Sequence, residues 1–213
     1  MTARSQRIRL TLELEQAELA LARGAIAGVD EAGRGPWAGP VVAAAVILNL
    51  ENLPVGIKDS KALRAQEREA AFASIRKTSR VAIGVADVDQ IDRDNILNAT
   101  MWAMAEAVAR LEEMPRLVLV DGNRRPPINC EARTIVKGDA KCLSIAAASI
   151  IAKVTRDKMM TELAETYPGY GFERHKGYGT RQHREALHRL GVCPIHRRSF
   201  RPVQLALGLA DPL

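Results

Sequence analysis

Two rhythms of apolar residues run along the chain. Residues 25–30 and 40–48 (PVVAAAVIL in the second case) are short, nearly unbroken apolar runs, as expected of strands buried on both faces. Residues 80–87 alternate Val81, Ile83 and Val85 with small residues and predict a third strand. Residues 116–120 (RLVLV) and 131–136 predict a fourth and a fifth. Helical spacing fills the rest. Leucines 12, 14, 19 and 21 among glutamates predict a helix over 11–23, stopped by Gly24. Residues 64–77 are helical by composition, and Ile96, Ala99, Ala103, Ala107 and Leu111 form one stripe of a helix over 95–113. A long alanine-rich helix over 143–166 stops before Pro168, and a shorter one over 182–190 is closed by Gly191. KDSKAL, residues 58–63, is turn-like, and Pro126-Pro127 mark a loop. Three strands, then helix, strand, strand and helices, predict an α/β protein with one mixed sheet flanked by helices.

Composition narrows this picture. A chain of 213 residues suits one domain with a small appendage. Aromatic content of 4% leaves the core to Ala, Val, Ile and Leu. The longest apolar runs, 41–48 and 145–152, are too short to span a bilayer. Arg4, Arg7 and Arg9 resemble a leader's basic start, but Glu13, Glu15 and Glu18 break any apolar h-region, so a cytoplasmic protein is expected. Cys130, Cys142 and Cys193 are scattered without a CxxC and read as reduced thiols. Cys193 and His196 stand at a metal-ligand spacing, yet a structural zinc site needs four convergent ligands and the chain offers no second pair. The net charge of +6 favours a polyanionic partner.

The candidate chemistry sits in residues 28–35, GVDEAGRG. Two adjacent carboxylates, Asp30 and Glu31, follow an apolar strand, and a Gly33-Arg34-Gly35 turn comes next. Glycines permit close backbone approach, and an arginine between them offers a fork of donors for phosphate. Two more predicted strands deliver acids, Asp121 after the fourth and Asp139 after the fifth. Strand ends of an α/β sheet meet at one rim, where ligands bind. Four converging carboxylates repel one another unless cations neutralise them, and hard oxygen ligands suit Mg2+ or Mn2+. Two such ions about 3.5–4 Å apart can activate water and stabilise the leaving oxyanion of a phosphodiester. Each acid also has an ordinary reading. Asp121-Gly122 fits a hairpin turn, and Asp139 fits the cap of the next helix.

These segments carry a family resemblance. GVDEAGRGPWAGPVVAAAVIL, KDSKAL, VDGN, KGD, SIAAASIIAKVTRD, KGYGT and HRRSF resemble, in order, the signatures of bacterial ribonuclease HII, over roughly residues 26–200. The resemblance implies a ribonuclease H-like catalytic domain over 25–166, after an N-terminal extension over 1–24 to which no role is assigned. A helical, basic, substrate-binding appendage over 167–213 completes it. It implies hydrolysis on the 5′ side of a ribonucleotide in RNA–DNA hybrids or in DNA with embedded ribonucleotides, leaving 3′-hydroxyl and 5′-phosphate ends. A role in ribonucleotide excision repair goes with that activity. Asp30, Glu31, Asp121 and Asp139 fall on the family's metal-binding acids, and two ions are implied with substrate bound. Gly33, Arg34 and Gly35 fall on the turn that reads the 2′-hydroxyl, and Tyr178 falls on the tyrosine that packs against the neighbouring sugar.

Among the basic residues, Lys58, Lys61, Lys137, Lys141, Lys153, Lys158, Arg174, Arg197 and Arg198 are candidates for phosphate contact. Lys176 and Arg181 are favoured because they border the loop of Tyr178. His175, His183, His188 and His196 read as structural or exposed, since metal-activated water needs no histidine base. Asp157, inside a predicted helix, reads as the partner of an Arg or Lys rather than as a further metal ligand. A branched-DNA resolvase of the same fold would have no 2′-hydroxyl to read, and a passive binding module would not need four acids. A dinucleotide site lacks its G-x-G-x-x-G spacing. A monomer acting on duplex nucleic acid, away from membranes, is the expectation.

Overall fold

The computed structural model describes residues 10–21, 24–58 and 63–209. The predicted turn over 58–63 therefore lies largely outside the described residues. The strands are β1 (Ile26–Ala32), β2 (Val41–Ile47), β3 (Arg80–Ala86), β4 (Leu117–Asp121) and β5 (Glu131–Ile135). They form one sheet in the order β3-β2-β1-β4-β5. β1, β2 and β3 pair antiparallel, whereas β4 joins β1, and β5 joins β4, in parallel.

β2 explains its own apolar run. Ala43, Ala45 and Ile47 pack with Ala99, Ala103 and Ala107 of α3 (Val88–Ala109) on one face. Ala44 and Val46 pack with Ala147, Ala148 and Ile151 of α4 (Leu143–Thr166) on the other. A strand covered on both sides has no polar face to alternate with. Gly28 brings α4 still closer, since a Cβ there would lie 2.1 Å from the carbonyl carbon of Ser144. α2 (Ala65–Thr78) joins the α4 layer through Ala71 and Ile75. α3 starts seven residues before the predicted boundary of 95. Asp87 caps it by accepting from the Gln90 amide at 2.8 Å, and Asn95, at φ 65°, kinks it and recaps the second segment through the amides of Leu97 and Asn98.

α1 (Glu13–Leu21) closes the far end of the sheet. Leu14 and Leu19 pack with Ile26, Leu117 and Leu119. Its Glu15 accepts from the Ser144 amide and hydroxyl at 2.9 and 2.7 Å, and Glu18 pairs with Arg133 at 2.5 Å. The C-terminal part contributes α5 (Phe172–His175), α6 (Arg181–Leu190) and α7 (Arg201–Ala206). Its own small core joins Phe172, Tyr170 and Ala186 to Met160 of α4 and to Ala38 in the β1–β2 connection. Among the described residues no helix is long and apolar enough to cross a membrane.

Candidate active site

β1 and β4 are parallel neighbours, so both deliver their acids in the same direction. Asp30, Glu31 and Asp121 line one cavity of about 320 Å3, together with Arg34, Gly35 and Tyr178. Only Asp121 ends its strand. β1 runs on through Asp30 and Glu31 because antiparallel pairing to β2 continues to Ala32, while pairing to β4 stops at Val29. Asp139 does not end a strand either. Lys137, in the left-handed region at φ 58°, separates β5 from a 3₁₀ turn over Gly138–Ala140 that holds Asp139 buried. That turn adjoins the cavity, since the Gly138 amide donates to Asp121 Oδ1 at 2.6 Å, but Asp139 itself is not among the cavity's lining residues. The ordinary readings of both acids fail. β4 and β5 are parallel, so Asp121-Gly122 closes no hairpin, and the residue at the cap of α4 is Cys142.

Two of the three lining acids, Asp30 and Glu31, have raised carboxyls. Burial is the largest cause that raises the Asp30 carboxyl well above its ordinary value, followed by the charges of Glu31 and Asp121. A hydrogen bond from Ser149 and the Glu31 amide at 2.7 Å oppose that shift. Burial also raises Glu31, against Arg34, whose guanidinium lies 3.3 Å from Glu31 Oε1. Among the described residues no three His, Cys, Asp or Glu side chains are already closed around a single ion position. Still, clustered hard oxygens whose charges burial and mutual repulsion disfavour fit a divalent cation such as Mg2+ or Mn2+.

The glycine-rich turn behind the acids is fixed by two arginines that sequence reasoning missed. Arg156 of α4 donates to the carbonyls of Pro40, Ala38 and Lys176 at 2.9, 3.1 and 3.0 Å. Arg197, expected as a phosphate contact, is instead fully buried and donates to the carbonyls of Gly33, Arg34, Pro36 and Gly39 at 2.5–3.0 Å. Burial lowers the two guanidiniums to about 10 and about 9, which leaves both charged at neutral pH. A legible signal existed: GRGPWAGP, residues 33–40, carries three glycines and two prolines, and such a loop leaves carbonyls in need of donors.

Gly33 and Gly35 have different reasons to be glycine. Gly33 has φ +102°, and a Cβ there would meet Arg156 Nε at 2.0 Å, so the fold requires it. A Cβ on Gly35 would meet only Tyr178 Cε1, at an ordinary 3.7 Å. Tyr178 is 46% exposed and shares the acids' cavity. Lys176 and Arg181 do not line it. Lys176 Nζ donates to Thr161 Oγ1 at 2.6 Å, and Arg181, 92% exposed, pairs with Glu185 at 2.7 Å. Among the described residues, the basic groups on the cavity are Arg34, Arg68, Lys153 and Arg156. Lys153 also pairs with Asp157 at 2.8 Å, the role expected for that acid.

Comparison with known proteins comes to the same place. The family model for ribonuclease HII matches residues 27–203. A ribonuclease HII of Azorhizobium caulinodans is 56% identical over 195 residues, covering 92% of this chain and 75% of that one. The crystal structure of ribonuclease H2 from Pyrococcus horikoshii superposes with a TM-score of 0.72 at 29% identity, over 85% of this chain and 96% of that one. Bst-RNase HIII in complex with Mn2+ shares the fold at a TM-score of 0.66 and 23% identity, over 88% and 70% of the two chains.

Proposed function

The chain belongs to the ribonuclease HII family of metal-dependent ribonuclease H endonucleases, and from that premise we propose that it cuts on the 5′ side of ribonucleotides. Its substrates are RNA–DNA hybrids and DNA with embedded ribonucleotides, and its products carry 3′-hydroxyl and 5′-phosphate ends. One observation carries this reading: three acids, two of them with carboxyls raised by burial, share a cavity with Gly35 and Tyr178, two elements suited to reading a sugar.

Asp30, Glu31 and Asp121 hold the metal, with Asp139 joining from the turn that already bonds to Asp121. Two divalent ions there would lower the pKa of the attacking water and neutralise the leaving oxyanion. The residues themselves supply orientation. Main-chain groups at Gly35 reach the 2′-hydroxyl, the one group that separates RNA from DNA at a single sugar. Tyr178 presents a flat apolar face to the next sugar and a hydroxyl to its phosphate. Arg34 and Lys153 steady the backbone at the cavity, while Lys176 and Arg181 contact flanking phosphates without reading sequence. The protein acts as a cytoplasmic monomer in removing ribonucleotides from DNA.

The test is cleavage of a DNA duplex carrying one ribonucleotide, with Mg2+, with Mn2+ and with chelator. Metal-dependent cleavage on the 5′ side of the ribonucleotide is expected. A cut on its 3′ side, or equal cleavage of all-DNA branched substrates, would overturn the reading in favour of another nuclease of this fold.

A further inference from the structure

A second group of buried titratable side chains lies behind the Tyr178 loop, and its hydrogen bonds determine their own protonation pattern. His175, His183, His196 and Cys193 are all buried. His183 Nδ1 faces the Tyr178 carbonyl at 3.0 Å, and a carbonyl only accepts, so Nδ1 carries the proton. His196 Nδ1 receives the Cys193 amide at 3.0 Å and has the Cys193 thiol at 3.1 Å. Both can donate, and the Cys193 carbonyl, at 3.2 Å, is the most distant of the three. His196 Nδ1 is therefore bare and its proton is on Nε2. The two Nε2 atoms lie 3.0 Å apart. The pattern closes consistently, with His196 Nε2–H donating to the bare Nε2 of His183. Burial lowers both imidazoles to about 4, so the neutral pair persists at neutral pH.

The next residue along completes the arrangement. His196 reaches the Tyr178 loop through His183, while Arg197 grips the loop that contains Gly35. Trp37, from that same loop, packs on His183 at 5.4 Å and bonds through its amide to the Gly177 carbonyl at 2.9 Å. His175 stacks on His183 at 4.6 Å and receives the Gly177 amide at 3.2 Å. One dipeptide thus anchors both walls of the sugar-reading gap. We propose that His183 and His196 are positioning residues, a neutral imidazole pair of fixed tautomer that holds the Tyr178 backbone and sets its ring's distance from Gly35. The inference rests on the reading of Tyr178 given above.

Two substitutions separate the two ends of His183. An Asn side chain keeps an N–H near the Nδ1 position, and a Gln reaches the Nε2 position without it. His183→Gln should raise KM for a single-ribonucleotide duplex about tenfold, the size of one lost hydrogen bond, with kcat little changed. His183→Asn should stay within about threefold of wild type, because it still holds the Tyr178 carbonyl. In a Tyr178→Ala background, His183→Gln should add nothing further. Wild-type KM for His183→Gln, or its full effect persisting without the tyrosine ring, would overturn the proposal. A silent Tyr178→Ala would instead overturn the reading of Tyr178. Should His183→Gln fail to fold, nitrogen NMR of the wild-type protein decides. A proton on Nδ1 of His183 and on Nε2 of His196 supports the pair, and either opposite tautomer overturns it.

Discussion

Two sets of buried charge lie close to each other in this protein and are treated in opposite ways. Arg156 and Arg197 are buried cations whose donors are spent on carbonyls of a loop with few other partners. Asp30, Glu31 and Asp121 are acids whose nearest charges include one another, and two of them are raised by burial and mutual repulsion. A buried charge met by fixed dipoles builds structure. A buried charge left uncompensated awaits a ligand, and perturbed acids of this kind concentrate at functional sites. The arginines hold the turn, and the proposed chemistry falls to the acids. The prediction with the largest effect concerns the acids. Under the proposed function Asp121→Asn removes a metal ligand, which should cost several kcal/mol of transition-state stabilisation and lower turnover on the order of a thousandfold. Duplex affinity should hold or rise, since repulsion toward phosphate falls. Cleavage assays and gel shifts read the two separately, and near-normal turnover would remove Asp121 from the site.

The arginines should show the reverse pattern. Arg197→Met strands at least four carbonyls and should lower unfolding stability by about 3–5 kcal/mol in a urea titration. A change within about 0.5 kcal/mol would mean that water replaces the guanidinium and that the clamp is dispensable. Acid should weaken the reader loop next. His183 and His196 have folded values near 4 against an ordinary 6.5, so the unfolded chain binds protons first as pH falls. Their contribution is therefore intact above pH 6.5 and is lost as pH drops toward 4, by at most ~3 kcal/mol for each imidazole. Chemical denaturation across that range measures it, and His183→Asn should flatten the slope.

Much of this was legible in the chain. β1, β2 and β4 stand where short apolar runs do, β3 where apolar residues alternate with small ones, and Asp30, Glu31 and Asp121 are visible because carboxylates after apolar runs are unusual. What escaped depended on partners far away in sequence. Arg156 and Arg197 look like surface residues until the loop over 33–40 folds back and presents its carbonyls, more than 100 positions away. Asp30 and Glu31 look like a strand end because pairing to β2 beyond them cannot be seen in one strand's pattern. The start of α3 was missed because Asp87 reads equally well as a strand's last residue and as a cap. Asp139 looks like a strand's end in the sequence because nothing there shows that Lys137 turns the chain first.

If the acids are held close together for a metal, that closeness costs the metal-free fold stability. Thermal unfolding of wild type and Asp30→Asn, each with and without Mn2+, tests it most directly. Asn keeps the size of the side chain and a bond to the Glu31 amide, but carries no charge. Because the folded carboxyl is raised, stability falls as pH rises from the ordinary carboxylate range through the folded value, above which the ionised form opposes folding by a constant amount. The expected result is a metal-free Asp30→Asn that melts higher than metal-free wild type, while Mn2+ raises the wild-type midpoint and leaves the variant's little changed. A metal-free variant that melts lower, or one that Mn2+ stabilises as well as wild type, would contradict it.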